Sequence, residues 1–93
     1  MKTYKAKSVI LGRKKGELPD VRPCFISLFN ANDPHKTGEA PSQVLDFDAV
    51  HKIVINGLEV NYLLPGNDIV INNLESVSVK VDGPHLFVSG KQK

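Results

Sequence analysis

The clearest structural signal in the chain runs from His51 to Leu64 and reads HKIVINGLEVNYLL. Two runs rich in β-branched and apolar residues flank the pair Asn56-Gly57. Asn-Gly is the preferred pair at the centre of a type I′ turn, because both positions need a positive φ and these residues adopt one at low cost. The segment therefore predicts a β-hairpin, and we expect the remaining strands to pair around it.

Alternation of apolar and polar residues predicts further strands on both sides of this hairpin. These are Thr3–Leu11, Val21–Asn30, Gln43–Phe47, Ile69–Leu74, Glu75–Val81 and His85–Ser89. Short strands separated by turn residues are typical of all-β barrels and sandwiches. We expect one domain over residues 1–93, an all-β Greek-key barrel of the OB type with about five or six strands. A long polar loop is expected at 31–42, and segment 43–52 also allows one helical turn over 49–52, capped by Asp48.

Composition excludes several classes of protein. The 93 residues are 41% hydrophobic and 24% charged, which is ordinary for a globular domain. No apolar run approaches the roughly 18 residues of a membrane span, and the first residues lack the apolar core of a signal peptide. We therefore expect a cytoplasmic protein that does not enter a membrane, in the host cytoplasm if its source is viral.

Few residues of the chain are of the types that carry catalysis or bind metals. Cys24 is the single cysteine and lies in an apolar run, which favours a small buried side chain. Asp46 and Asp48 share a strand face, but nothing in the sequence marks the apolar pocket that would separate the pKa values of a catalytic pair. The three histidines lie on different predicted elements: His35, His51 and His85. We expect no enzyme activity, metal or cofactor.

Positive charge is concentrated at the N-terminus. Residues 1–22 contain seven lysines and arginines against two acids, while residues 23–93 contain five lysines against eight acids. A basic segment on a nearly neutral domain is typical of a surface that meets a polyanion, although a merely solvated surface has the same composition.

Two segments resemble a known family. Gly66-Asn67-Asp68-Ile69-Val70-Ile71-Asn72-Asn73-Leu74 is similar to the Gly-Asp-x-Val-x-Val-x-Gly-x-Leu segment of OB-fold single-stranded DNA-binding proteins, with Asn73 where a glycine is usual. Residues 5–12 and 23–28 resemble the first two strands of that family. The length resembles the small helix-destabilising proteins of filamentous phages, whereas residues 31–50 match no part of the pattern.

The resemblance implies non-enzymatic binding of single-stranded DNA by a homodimer. Such binding needs cations along a groove and aromatic rings on which bases stack. The candidate residues are Lys5, Lys7, Arg13, Lys14, Lys15, Arg22, Phe25, Phe29 and Tyr62. For the two phenylalanines, packing in the core is the competing interpretation.

A protein-interaction module is the alternative function. A phage structural, accessory or inhibitory protein would have the same composition, and Ile69–Leu74 is a candidate edge strand for pairing with a partner. The two hypotheses differ in one geometric test: nucleic-acid binding requires Lys5, Lys7 and residues 13–15 to share one face with the aromatic rings.

Overall fold

A computed structural model describes residues 2–15, 22–60 and 64–93, and the fold that they form is all-β, as predicted. The strands are β1 (Lys2–Lys5), β2 (Ser8–Arg13), β3 (Arg22–Phe29), β4 (Gln43–Val50), β5 (Lys52–Ile55), β6 (Leu58–Val60), β7 (Ile69–Ile71), β8 (Leu74–Asp82) and β9 (His85–Gln92). A single helical turn, α1 (Pro34–Thr37), lies within the predicted 31–42 loop.

The strands form two sheets rather than one closed barrel, and they are more numerous than the five or six expected. One sheet has five strands in the order β1-β8-β9-β5-β6, and the other has four in the order β4-β3-β2-β7. Neighbouring strands are antiparallel except β5 and β9, which are parallel. One apolar cluster draws residues from both sheets, so the sheets pack face to face around it.

Over the described residues the hairpin forms as predicted, with positive φ at both turn residues, 50° at Asn56 and 83° at Gly57. Residues 61–63 of the predicted hairpin lie outside the described residues. Its position differs from the expectation. β6 is an edge strand, and β5 joins the sheet through its parallel contact with β9. The strands therefore do not pair around the hairpin, which extends one side of the five-stranded sheet.

The predicted strand Thr3–Leu11 is divided between the two sheets. β1 pairs with β8, while β2 pairs with β3 and β7. Lys7 lies at the corner between β1 and β2. Its N–H donates to the Phe29 carbonyl at 2.9 Å, and its carbonyl accepts from the Leu74 N–H at 2.8 Å. The corner therefore joins the two sheets through main-chain hydrogen bonds.

The core confirms most of the predicted strand faces. On β3, Cys24, Ile26 and Leu28 are buried, and on β8, Val77 and Val79 are buried. The other large, fully buried side chains include Val9, Leu11, Val50, Ile53, Leu74, Leu86 and Val88.

The segment between β3 and β4 is a loop with one helical turn, and hydrogen bonds attach it to Ser8 and Asn72. Ser8 Oγ donates to the Ala31 carbonyl at 2.5 Å. Asp33 and Asn72 exchange two hydrogen bonds, of 2.9 and 3.0 Å. β4 then continues to Val50, so the alternative helical turn over 49–52 does not form.

Candidate nucleic-acid interface

The N-terminal cations do not share one face. Lys5 is exposed on β1, in the five-stranded sheet, and Lys7 is exposed at the corner that follows. Lys14 and Lys15 are exposed after the end of β2, in the four-stranded sheet. Lys14 Nζ lies 2.5 Å from Asp46 Oδ1. The single basic face that the sequence predicted is therefore not assembled.

Arg13 was wrongly predicted to be a surface cation. Arg13 is only 7% exposed, and its Nη1 donates to the Val50 carbonyl at 3.1 Å. On β2 it shares the inward face with Val9 and Leu11, because residues two apart on a strand point the same way. The Arg13 side chain therefore binds the end of β4 from inside the protein. It can contact a phosphate only if it breaks the hydrogen bond to Val50 and moves to the surface.

The two candidate phenylalanines lie on the four-stranded sheet, away from Lys5. Phe29 is 4% exposed, so its assignment as a base-stacking ring is wrong. It pairs with Ser8, and the chain after β3 folds back over this end of the sheet through the Ser8–Ala31 hydrogen bond. Phe25 is half-buried and packs over Gly12, where an added Cβ would lie 2.6 Å from the Phe25 Cζ atom.

Two predicted site residues have side chains outside the described part of the structure. Tyr62 lies outside the described residues, and so does the side chain of Arg22, whose backbone begins β3.

A different aromatic residue, Phe87, lies on the solvent face of the five-stranded sheet. Its neighbours Leu86 and Val88 point into the core, so Phe87 points outward, and it is half-buried by its surroundings. Lys80 Nζ stands 5.9 Å from the centre of the Phe87 ring, within the range of a cation–π contact. The His85 ring meets Phe87 edge-on, with ring centres 6.5 Å apart. The phenylalanine is therefore flanked by a cation and a second ring.

Strand register places this aromatic group and a basic row on one surface. Lys5, Ser76 and Lys91 lie side by side across β1, β8 and β9. The next row, Thr3, Ser78 and Ser89, carries hydroxyls, and the row after it holds Lys80 and Phe87. Lys91 and Phe87 are four residues apart on β9, about 13 Å at the usual rise of a strand. We call this surface the Phe87 face.

The basic end of the Phe87 face opens onto a small pocket. Lys5, Lys7 and Lys93 line it together with Asn30 and Glu75, and its volume is about 340 Å³. The Lys93 N–H donates to the Asn73 carbonyl at 3.0 Å, which fixes the last residue of the chain beside the corner. Lys5 and Lys7 at the corner and Lys93 near the end of β9 therefore line one pocket at this end of the face.

Acidic residues offset part of this charge. Lys52 forms an ion pair with Glu59, and Lys91 Nζ lies 3.7 Å from Glu75 Oε2. Both pairs are substantially exposed, so solvent screens them and each contributes little to stability. The face is therefore moderately basic, with its unpaired lysines at the corner and beside Phe87.

Cys24 is a free, buried cysteine. Burial raises the pKa of the Cys24 thiol to about 11, against smaller opposing effects of Arg13 and Lys14, so the group is a neutral core side chain at physiological pH. In the described part of the chain, no three His, Cys, Asp or Glu side chains lie close enough to hold a metal ion.

Phe87 was absent from the sequence-based candidates, although the alternation of His85–Ser89 contains the signal. With Leu86 and Val88 inward, the residue between them must face solvent.

The described residues include no helix with the length and apolar character that crossing a bilayer requires. Comparisons with protein-family models, with curated proteins and with solved structures found no match to the chain.

Proposed function

We propose that the protein binds single-stranded nucleic acid, without catalysis, through the Phe87 face. The observation that carries this proposal is an outward phenylalanine with Lys80 over its ring, on the same sheet surface as Lys5 and Lys91. A protein that binds single strands without reading their sequence needs these two components, an aromatic ring for bases and cations for phosphates.

Phe87 is suited to stacking because its ring lies on the solvent face of the sheet. The His85 ring lies edge-on to it, and Lys80 Nζ stands over the ring, 5.9 Å from its centre. Stacking on an aromatic side chain contributes about 1–3 kcal/mol per base and tolerates any base, since every base has a π face.

Phosphates would be contacted at the basic end. Lys5, Lys7 and Lys93 converge on the corner pocket, and a strand whose base lies on Phe87 reaches them across the hydroxyl row. The hydroxyls of Thr3 and Ser78 already bond each other at 3.1 Å and can also donate to phosphate oxygens. This arrangement retains Lys5 and Lys7 from the sequence-based site and replaces its aromatic residues.

A matched pair of substitutions tests the proposal. Phe87→Leu removes the π face but keeps an apolar side chain, and Phe25→Leu makes the same change at a half-buried phenylalanine of the other sheet. Binding of each variant to a fluorescein-labelled oligo-dT of about twenty nucleotides, longer than the strand site of one small domain, is measured by anisotropy. We expect Phe87→Leu to weaken binding about fivefold to a hundredfold and Phe25→Leu to leave it unchanged.

The opposite binding result would refute the Phe87 face as the binding site. A loss at Phe25→Leu without one at Phe87→Leu would return the site to the four-stranded sheet, and no binding of the wild type at low salt would remove nucleic acid as the ligand. Circular dichroism and thermal unfolding of both variants show whether a lost affinity reflects a lost fold.

A further inference from the structure

An open groove lies between the two sheets. It runs between β1 and β8 of the five-stranded sheet and β4 of the four-stranded sheet, and its volume is about 560 Å³. This volume lies within the range of about 300–1,000 Å³ that is typical of small-molecule sites. The apolar lining of the groove comes from Tyr4, Val44, Leu45, Phe47, Val79 and Val81.

Two of the three charged residues that line the groove direct their side chains away from it. Lys80 Nζ stands over the Phe87 ring, on the solvent face of the five-stranded sheet. Asp46 lies opposite Phe25 on β3 and shares its outward face, and the Asp46 carboxylate forms an ion pair with Lys14. Neither charged group therefore faces the interior of the groove, and the one carboxylate among the lining residues already has a cationic partner.

The third charged residue, Lys2, lies on the groove side of β1. Lys2 pairs with Val79 and Tyr4 pairs with Val77, and both valines are buried in the core. Directly opposed residues of an antiparallel pair share a face, so the side chains of Lys2 and Tyr4 lie on the inner side of the sheet. Neither the Lys2 ammonium group nor the Tyr4 hydroxyl has a hydrogen-bond or ion-pair partner among the described residues. One end of the groove therefore offers a free cation beside a free hydroxyl.

We propose that this groove binds the anion of a fatty acid, a straight-chain carboxylate of about eight to twelve carbons. The carboxylate lies at Lys2, with which it forms a charge-assisted hydrogen bond, and accepts a second hydrogen bond from the Tyr4 hydroxyl. The alkyl chain packs on Leu45, Phe47 and Val79. At about 30 Å³ for each carbon group, close to the volume of one water molecule in the liquid, the ligand occupies roughly 240–360 Å³ and fits within the groove.

Charge and lining together favour this class of ligand. A cationic ligand would bring its charge beside Lys2, with no unpaired carboxylate among the described lining residues to offset it. The remaining inward side chains are aliphatic and aromatic, which suits an alkyl chain better than a sugar or a nucleotide. Val44 and Val81 are 45% and 52% exposed at the rim, so the bound chain covers apolar surface that water otherwise contacts. The site is separate from the Phe87 face and does not depend on nucleic-acid binding.

Two ligands with the same alkyl chain and opposite charges test this inference. Decanoate and decyltrimethylammonium are titrated into the protein by calorimetry, below the concentrations at which either forms micelles. We expect decanoate to bind at least about tenfold more tightly and to shift the amide NMR signals of Tyr4, Leu45 and Val79. Equal binding of the two ligands, no binding of decanoate, or shifts confined to other parts of the protein would overturn the proposal.

The length of the alkyl chain provides a second measurement. Decanoate should bind about fifteenfold more tightly than octanoate, at about fourfold for each additional buried methylene. Equal affinities would show that the alkyl chain stays outside the groove and would contradict the proposed site.

Two matched pairs of variants locate the bound ligand. Lys2→Met removes the ammonium group but keeps an unbranched side chain and should weaken decanoate binding at least about threefold, whereas Lys36→Met, at an exposed lysine of α1, should not. Val81→Asn should weaken binding at least about tenfold, while Leu58→Asn, at a 73% exposed residue of β6, should leave it unchanged. Equal effects within either pair, in variants whose circular dichroism matches the wild type, contradict the placement.

A second copy of the chain is the competing occupant of the groove. Gel filtration that shows a dimer, with residues 43–50 protected from hydrogen exchange in the absence of decanoate, would assign the groove to self-association and overturn the proposal. A monomer in which decanoate slows exchange at these residues supports the fatty-acid site.

Discussion

The charge of the Phe87 face predicts how steeply binding to a single strand falls with salt. Lys5, Lys7, Lys80 and Lys93 lie on or beside the face without an ion-pair partner among the described residues. Two other lysines of the sheet, Lys52 and Lys91, are paired with glutamates. About four neutralised phosphates give a slope of log K against log salt near −3, at about −0.7 per phosphate. Affinity should therefore fall about fiftyfold between about 50 and 200 mM salt.

Substituting Lys5→Gln and Lys80→Gln together removes two of these contacts. The slope should rise to about −1.4, so that affinity falls only about sevenfold over the same salt range. Anisotropy titrations of the same oligo-dT across a series of salt concentrations measure both slopes.

The double variant Lys14→Gln/Lys36→Gln makes the same change in net charge at exposed lysines elsewhere and should keep the wild-type slope. A wild-type slope shallower than about −1, or an equal change in both double variants, would refute the placement of phosphates on this face.

Three further predictions concern the fold. Gly12→Ala places a Cβ against Asp68 Oδ1 and 2.6 Å from the Phe25 ring, so both side chains must move and urea unfolding should show a loss of about 1–3 kcal/mol. Arg13→Met removes the hydrogen bond to the Val50 carbonyl and should destabilise the protein by about 1–3 kcal/mol in the same assay, without changing oligo-dT affinity at temperatures where it is folded. The folded state keeps the Cys24 proton up to a pKa of about 11, while the unfolded chain releases it near 9.0. As the pH rises from about 9 to about 11, the free energy of unfolding should therefore fall by about 2–3 kcal/mol relative to that of Cys24→Ala. Below about pH 9, the difference in the free energy of unfolding between the two proteins should not depend on pH.

Local rules predicted the parts of the fold that depend on neighbouring residues. Asn56-Gly57 specified the turn because few residue pairs adopt two positive φ angles. The inward faces of β3 and β8 followed from the alternation of apolar residues, and the buried positions of Cys24 and Val77 agree with them.

The arrangement of the strands depends on contacts between distant residues. The parallel pairing of β5 with β9 joins residues about thirty positions apart, Ile53 with Leu86 for example, and the hairpin itself carries no signal for it. Alternation along one strand gives no information about which strand lies beside it, so this pairing was not predicted.

The misplacement of Arg13 has two causes, one at the end of β2 and one at the corner after β1. The predicted strand Thr3–Leu11 ends before Arg13, which was therefore grouped with Lys14 and Lys15 as cations after the strand, whereas β2 continues through Gly12 to Arg13. A single strand also keeps one phase of alternation from Lys5 onward. In the structure the alternation changes phase as the chain crosses between sheets at Lys7: Tyr4 and Ala6 face the core before the corner, and Val9 and Leu11 face it afterwards. Lys5 stays outside while Arg13 turns inward to Val50. The apolar run of residues 8–11 is compatible with either phase because both faces of β2 are buried. Only the change of sheet determines which cations face solvent, so the basic surface of this protein follows from its corner and not from its N-terminal composition.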